Sequence, residues 1–473
     1  MVSFFIVPET LVVNVPTYIC YQQTNSTKTV IPESAIKSIQ WFVNDKEVQH
    51  YPSVSDDHKE PKKESLFQKI FKLGKEESGS EIKKNWFVPD SSHVGGTLKV
   101  RVVLKIKELH EKSEHVVEVL SNGTFTTHPT RQMYIYNSES DENDFGFTTY
   151  NIMADCYTHP GRYKTPEYAL FRPYRKHLMA KYINFYKSDI VCLQEFEPEF
   201  TEVIKEMDEE GLTSTPTIIR DGSRYQPPDQ CISFYRRSRF HLIQQHIIDY
   251  NIITSSGLIS KEQIEKLKSN PVTNHFLEGV LKTNHHNRFS FLHLTDLKTS
   301  KPLIVINVHL YWGAPTEDWN YKLQLMQFYI ITLILDDYTA KHSPNTPIPI
   351  ILCGDLNNEP HQKVNKFITQ GVYNENHEKD LYTFKHSYKF SSVYANHPMG
   401  ETSFTIATKS YQKCIDYIYI TKSNITVKSW LEVGNHYSET LPSVTEPSDH
   451  ILLKANLNLN SEKLNTTEKK IDS

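Results

Sequence analysis

IPIILCGDLNNEP, residues 348–360, is the stretch that decides the fold. From Ile350 to Cys353 the residues are apolar without alternation, which suits a strand buried on both faces. The run then stops on Gly354 and Asp355 and passes into turn-forming residues. The same event recurs along the chain. Apolar runs end on Asn151 in FTTYNIMA, on Gln194–Glu195 in DIVCLQEF, and on Asn307 and His309 in PLIVINVHL. Others end on Asp355 and Asn357 here, on Asp416 in CIDYIYI, and on Asp449–His450 in PSDH. Helical patterns lie between them, from about Glu167 to Tyr186 and from about Thr316 to Tyr338. Strands alternating with helices predict an α/β domain whose helices cover sheets.

Residues 1–137 follow another grammar. TLVVNV, YICYQ, IQWFV and VEVL are short, β-branched or aromatic, and separated by turn-formers. In TLKVRVVLKI, Leu98, Val100, Val102, Leu104 and Ile106 fall on one face, and Lys99, Arg101, Lys105 and Lys107 interleave with them. A β-rich, sandwich-like domain is expected, with Trp41 on an inner strand and a turn at Asn44–Asp45. Residues 56–84 carry interleaved charges of both signs and read as an exposed insertion. SESDENDFG, 138–146, reads as a linker to a domain over 147–460, and 461–473 as a polar tail.

Composition excludes several classes. The chain has 473 residues, 52 Lys+Arg and 56 Asp+Glu, for a net charge of −4. That balance excludes a polybasic protein coating nucleic acid by bulk charge. Hydrophobic residues at 38% suffice for large cores, so the chain is not disordered. Six cysteines without a CxxC pair argue against a disulfide scaffold and a zinc site. Apolar stretches such as YIITLIL are shorter than the ~20 residues a membrane span needs. MVSFFIVPETLVV lacks both a basic n-region and an Arg-rich amphipathic pattern. An intracellular, soluble, cytoplasmic protein without a membrane partner is the expectation.

The strand-end residues select a chemistry. Asp, Glu and Asn are hard oxygen donors suited to Mg²⁺ or Mn²⁺ rather than to zinc. A hard cation with histidines nearby suits phosphate-ester hydrolysis, in which positive charge offsets charge developing on oxygen. The chain has no P-loop, no kinase glycine-rich loop and no G-x-S-x-G elbow. His275, His285 and His286 resemble a metal cluster but lack accompanying cysteine or carboxylate, and they read as surface residues. Arg175 reads as a structural partner at a helix start, and Trp312 as packing beneath His309.

YNIMAD, IVCLQE, INVHLYW, LCGDLNNEP, CIDYIYI and PSDH, in that order, resemble the endonuclease/exonuclease/phosphatase superfamily that includes DNase I. The resemblance runs from about Phe145 to Leu457. LPSVTEPSDHILL, SFYRRSRFHLI and HLYW draw it toward the deadenylase branch. It implies a DNase I-like four-layer α/β/β/α sandwich, preceded here by the smaller all-β domain. It implies a Mg²⁺-dependent 3'-5' exoribonuclease that releases AMP from poly(A) by attack of a metal-activated water. The RNA partner would be an adenylate 3' end or 2',5'-oligoadenylate. The mitochondrial matrix becomes an alternative compartment. The resemblance leaves two rivals: hydrolysis of a small phosphorylated molecule on the same fold, and a non-catalytic RNA-binding protein.

Residue by residue, the resemblance makes Glu195 the principal metal ligand, with Asn151 beside it contacting phosphate. Asp355 and Asn357 would bind or orient the attacking water, directly or with a second ion, and Asp449 would complete the metal shell. His450 would contact the scissile phosphate or serve as base, oriented by Asp416. His309 would stabilise phosphate oxygens, with Asp229 as its carboxylate partner. Tyr411 and Pro315 would sandwich an adenine. Three positions depart from the family pattern. Gln230 and Lys413 stand where glycine is usual, and Pro315 lies one residue further from His309 than in some relatives.

Overall fold

The computed structural model describes residues 2–7, 17–23, 29–31, 36–48, 86–87, 91–104, 115–124, 131, 133–136, 141–159, 161–170, 172–198, 200–215, 229–283, 287–313, 317–377, 380–397, 400–433 and 441–459. The charged insertion at 56–84, the tail at 461–473, Pro315, His285 and His286 lie outside these residues. The chain divides into two compact units. One holds Met1–Thr130 with Thr165–Lys181 and Pro442–Pro447; the other holds Arg131–Lys164, Tyr182–Leu441 and Ser448–Ser473.

The first unit carries two four-stranded sheets. In one, Val2–Val7, Thr17–Gln23 and Thr29–Val30 run side by side, and Trp86–Phe87 pairs with Thr17–Gln23. In the other the order is Lys46–Val48, Ile36–Val43, Thr97–Leu104, His115–Thr124. Ile6 and Ile19 of the first share one apolar cluster with Trp41, Val100 and Val102 of the second. Within it Trp41 stacks on Phe87, centroids 5.9 Å apart. The alternation of TLKVRVVL holds: Leu98, Val100, Val102 and Leu104 are buried. Asn44 and Asp45 take positive φ of 50° and 61°, which makes the hairpin turn whose twist matches paired strands.

Two large sheets, with two short two-stranded ones beside them, build the second unit among the described residues. The seven-stranded sheet runs Leu212–Ser214, Gln230–Arg236, Ile190–Phe196, Phe145–Asn151, Leu453–Leu459, Ile425–Leu431, Met133–Ile135. Its last strand precedes residue 138, so this unit draws in residues that the sequence pattern assigns to the β-rich domain. Within the expected linker, Asp144 accepts from Asn458, and the Asn143 carbonyl accepts from Arg239. The six-stranded sheet runs Phe240–Asp249, Arg288–Asp296, Pro302–His309, Ile350–Asp355, Asp416–Thr421, Phe390–Ser392.

Between the sheets, Phe145, Phe147, Ile190 and Leu453 meet Leu292, Val305, Ile351 and Ile418. On the outer face of the six-stranded sheet, Ile304, Ile306 and Leu352 pack against Phe276 of helix Pro271–Leu281, Met326 and Phe328 of helix Glu317–His342, and Phe367 of helix Lys363–Gln370. Beyond the other sheet, Tyr150 meets Tyr182 of helix Arg172–Phe185 at 5.9 Å. The result is the expected four-layer α/β/β/α sandwich. The helix expected over 167–186 is seen as Glu167–Leu170 and Arg172–Phe185, and the one expected to end near Tyr338 continues to His342. Among the described residues, no helix is long and apolar enough to cross a membrane.

Candidate active site

Strand periodicity places the site. Along Pro302–His309, Leu303, Val305, Asn307 and His309 share the face toward the other sheet; along Ile350–Asp355, so do Ile351, Cys353 and Asp355. His309 pairs with Asp355 across the parallel ladder, and Asp355 with Asp416 across the antiparallel one. Three polar side chains, His309, Asp355 and Asp416, therefore stand abreast on adjacent strands, where the inter-sheet core ends. Gly354 makes the close packing possible: at φ 125°, an added Cβ would lie 2.0 Å from the Val308 carbonyl oxygen.

Asn151 and Glu195 come from the facing sheet. Alternation alone would put Gln194 on the inner face and Glu195 on the outer. A register shift between Leu193 and Phe196 breaks the ladder, and Glu195 takes φ 56°. A bulge of this kind re-aims a side chain at the cost of local strain. Glu195 Oε1 then accepts from Asn151 Nδ2 at 3.0 Å, and Oε2 from the Ala154 amide at 2.8 Å. The Asn151 amide also donates to Asp355 Oδ2 at 3.0 Å, which ties the two sheets together at the site. Asn151 thus bridges two carboxylates.

Asp355 Oδ2 is also flanked by two imidazoles. The Nε2 atoms of His309 and His450 each lie 3.7 Å from it. Asp355 Oδ1 accepts from the Asn357 amide at 2.8 Å, and Asn357, at φ 49°, donates its side-chain amide to the Leu310 carbonyl. His450 Nδ1 bonds to Asp416 Oδ2 at 2.8 Å. Burial opposes charge on His450. The Asp416 carboxylate outweighs it, with Asp355 and Asp449 adding to the effect, and holds the imidazole well above the ordinary histidine range. Asp449, buried, accepts from the Tyr163 hydroxyl at 3.1 Å.

Burial pushes the Glu195 carboxyl up to about 7; His309 opposes the rise, and Asp229 and Asp449 add to it. Carboxylates crowded this closely are short of positive charge. Together with the oxygens of Asp355, Asn357 and Asp449, Glu195 forms a donor set that fits a hard divalent cation such as Mg²⁺ or Mn²⁺. Asp355, Asp416 and His450 also present ligand atoms within 4.8 Å of one another. Asp416 Oδ2, however, is already committed to His450 and to the Thr405 hydroxyl at 2.6 Å, so that trio reads as a hydrogen-bonded Asp416–His450 pair with Asp355 3.7 Å from the other ring nitrogen.

A cavity of about 780 Å³ opens over these groups and is lined by Glu195, His309, Asp355, Asn357, Asp449 and His450. Tyr411, 42% exposed, forms part of its wall. Trp312 lines it too and is 40% exposed, contrary to the packing role expected of it. Burial after the strand falls instead to Leu310 and Tyr311, whose amide is held by Gln327. Gln194 and Asn307 turn away from the cavity. Gln194 Nε2 donates to Asn307 Oδ1 at 2.6 Å, and Asn307 donates to the Leu193 and Ile232 carbonyls, which rivets the sheets beneath the site. Arg175 is buried and donates to the Pro447 carbonyl, as expected of a structural residue. His275 sits on helix Pro271–Leu281 beside Trp319, centroids 5.0 Å apart.

Three supporting residues carry little signal in the sequence. Thr405 accepts from the Ile415 and Asp416 amides while its hydroxyl donates to Asp416. Ser448 donates to the Asn151 carbonyl and accepts from the His450 amide. Tyr163 holds Asp449. Only Ser448 lies inside a motif.

A sequence profile of the Endonuclease/Exonuclease/phosphatase family matches residues 148–450. Among curated proteins, 2',5'-phosphodiesterase 12 of Mus musculus is 29% identical over 349 residues, covering 68% of this chain and 53% of its own length. The Homo sapiens protein of that name is 27% identical over 405 residues, covering 80% and 62%. The CCR4-Not complex 3'-5'-exoribonuclease subunit Ccr4 of Mycosarcoma maydis is 28% identical over 367 residues, covering 68% and 51%. The chain thus spans about half the length of the curated relatives it matches. Among solved structures, ANGEL2, described as a 2',3'-cyclic phosphatase and bound to adenosine-2',3'-vanadate, superposes with a TM-score of 0.55. At 18% identity, over 70% of this chain and 99% of that one, the likeness is one of fold.

Proposed function

This chain belongs to the Endonuclease/Exonuclease/phosphatase family, and on that premise we propose that it is a metal-dependent 3'-5' exoribonuclease releasing AMP from adenylate 3' ends. Oligoadenylate joined 2',5' is a second substrate of the same site. One observation carries the reading: Asp355 Oδ2 lies between two histidine Nε2 atoms, each 3.7 Å away, and beside the buried Glu195–Asn151 pair. Imidazole donors and carboxylates converging on one point suit in-line displacement at a phosphodiester.

Glu195, with Asp449 and Asn357, would hold Mg²⁺ or Mn²⁺. The bound cation supplies charge neutralisation at phosphate oxygens and acidifies water. The other steps fall to the chain's own groups. His450, charged at neutral pH, keeps Nδ1–H on Asp416 and offers Nε2–H to a non-bridging phosphate oxygen. His309 offers a second donor on the same side of Asp355. Asp355, its Oδ1 fixed by the Asn357 amide, accepts a hydrogen bond from the incoming water. Asn151 orients both carboxylates, and Tyr411 offers an aromatic face to the terminal adenine.

The purified chain, labelled oligo(A) and Mg²⁺ make the test, with Glu195→Ala as control. AMP release by the native chain alone is the expected result. Equal activity in the variant refutes the site. Equal turnover of oligo(A) and oligo(U), with faster turnover of a mononucleotide, would shift the reading to a small phosphorylated substrate.

A further inference from the structure

The cavity that holds the carboxylates also carries two ammonium groups, on Lys363 and Lys413. Lys363 opens helix Lys363–Gln370, and its Nζ lies 3.6 Å from the centroid of the Tyr321 ring. That ring is itself fixed, because the Tyr321 hydroxyl donates to the buried Glu375 at 3.0 Å. A cation resting on a fixed aromatic face loses less rotamer freedom when it meets a ligand. Among the described residues, Lys363 makes no ion pair within 4.0 Å, and the nearby Asp318 is bonded to Lys322 at 2.6 Å.

Lys413 lies on the short strand Gln412–Lys413, and its backbone carbonyl accepts from the Thr405 amide. Its Nζ is 3.1 Å from Glu359. An ammonium has three donor hydrogens, so this pairing leaves capacity for a second acceptor. Neither lysine assists the cation expected on Glu195, since like charges repel. Both instead suit a second anion in the same cavity.

We infer that Lys363 and Lys413 form a second phosphate subsite, which takes the internucleotide phosphates of the RNA beyond the scissile bond. The inference rests on a polynucleotide being the substrate. The subsite grips backbone without reading bases, and it explains how a chain of net charge −4 holds an anionic strand. It gives longer adenylates tighter binding than di-adenylate, whose single phosphate occupies the reacting position.

Fluorescence anisotropy of labelled hexa-adenylate and di-adenylate, across a KCl series with metal chelated to prevent turnover, tests the subsite. For hexa-adenylate, the slope of log affinity against log salt should flatten by ~0.7 for each lysine removed, and by ~1.4 in Lys363→Ala/Lys413→Ala. Lys413→Arg should keep the native slope, and di-adenylate should show no change in any variant. An unchanged hexa-adenylate slope, an equal change with di-adenylate, or failure of the native chain to bind hexa-adenylate overturns the inference. AMP release with Mg²⁺ is measured separately. Its absence beside an intact lysine-dependent slope would sink the exonuclease reading and leave the subsite standing.

Discussion

Thr405→Val removes one hydroxyl and keeps the shape of the side chain. In the native chain that hydroxyl donates to Asp416 Oδ2 at 2.6 Å and accepts from the amides of Ile415 at 3.0 Å and Asp416 at 2.9 Å. All three partners are buried, so no solvent replaces the lost bonds. Each buried donor left unsatisfied costs about 1–3 kcal/mol. Partial relaxation of the loop brings the expected loss of stability to roughly 2–4 kcal/mol. Among the described residues Asp416 Oδ1 has no hydrogen-bond partner, so without Thr405 His450 is the one described side chain that fixes that carboxylate. His450 would then lose its orientation, with kcat falling ~10- to 100-fold, as on removal of other supporting partners, and KM little changed. Thr405→Ser keeps the hydroxyl and should stay near native. Melting curves and steady-state AMP release from oligo(A) measure both effects. If the valine variant matches the serine variant in Tm and in kcat, the positioning role of Thr405 is refuted.

Other outcomes follow from the same geometry. Because Glu195 titrates at about 7 without metal, protons compete with the cation. Mg²⁺ affinity by calorimetry should be ~10-fold tighter at pH 8 than at pH 6, with proton release on binding. Glu401 is raised by burial to about 7, against Ser392, whose hydroxyl donates to it. The folded chain then binds a proton that the unfolded chain gives up near 4.5, so this contribution to stability is complete below 4.5 and lost as pH rises through 7. Glu401→Gln should therefore raise Tm at pH 8, by up to about 3 kcal/mol of stability, with little gain at pH 4.5. Tyr411→Ala should raise KM for oligo(A) by an amount matching ~1–3 kcal/mol of lost stacking and leave Tm unchanged. Gly354→Ala should cost more than about 3 kcal/mol, seen as loss of cooperative melting, because the added Cβ meets backbone.

Much of this molecule is written locally. Unbroken apolar runs such as Ile350–Cys353 mark buried strands because no polar side chain can sit on either face. Alternation in TLKVRVVL fixes the inner face of the first unit's sheet. Asn151, Glu195, His309, Asp355, Asp416, Asp449 and His450 are legible as strand-end polar residues, and their order along the chain is enough to suggest the family. Their equals by that criterion, Gln194 and Asn307, turn out to be rivets between sheets, since a strand-end position does not say which way the end of a strand twists. Glu195 shows the reverse: alternation points it outward, and only the broken ladder at Leu193/Phe196 with φ 56° brings it to Asn151. Thr405 is 45 residues before His450 and carries no pattern, yet its one hydroxyl joins it to the Asp416–His450 pair. Sequence by itself determined which side chains were chemically fit for the site and which strands bore them, because periodicity and residue chemistry are local. Which of them meet, and which pair fixes which, was decided by the tertiary structure, because that depends on registers and bulges between strands far apart in the chain.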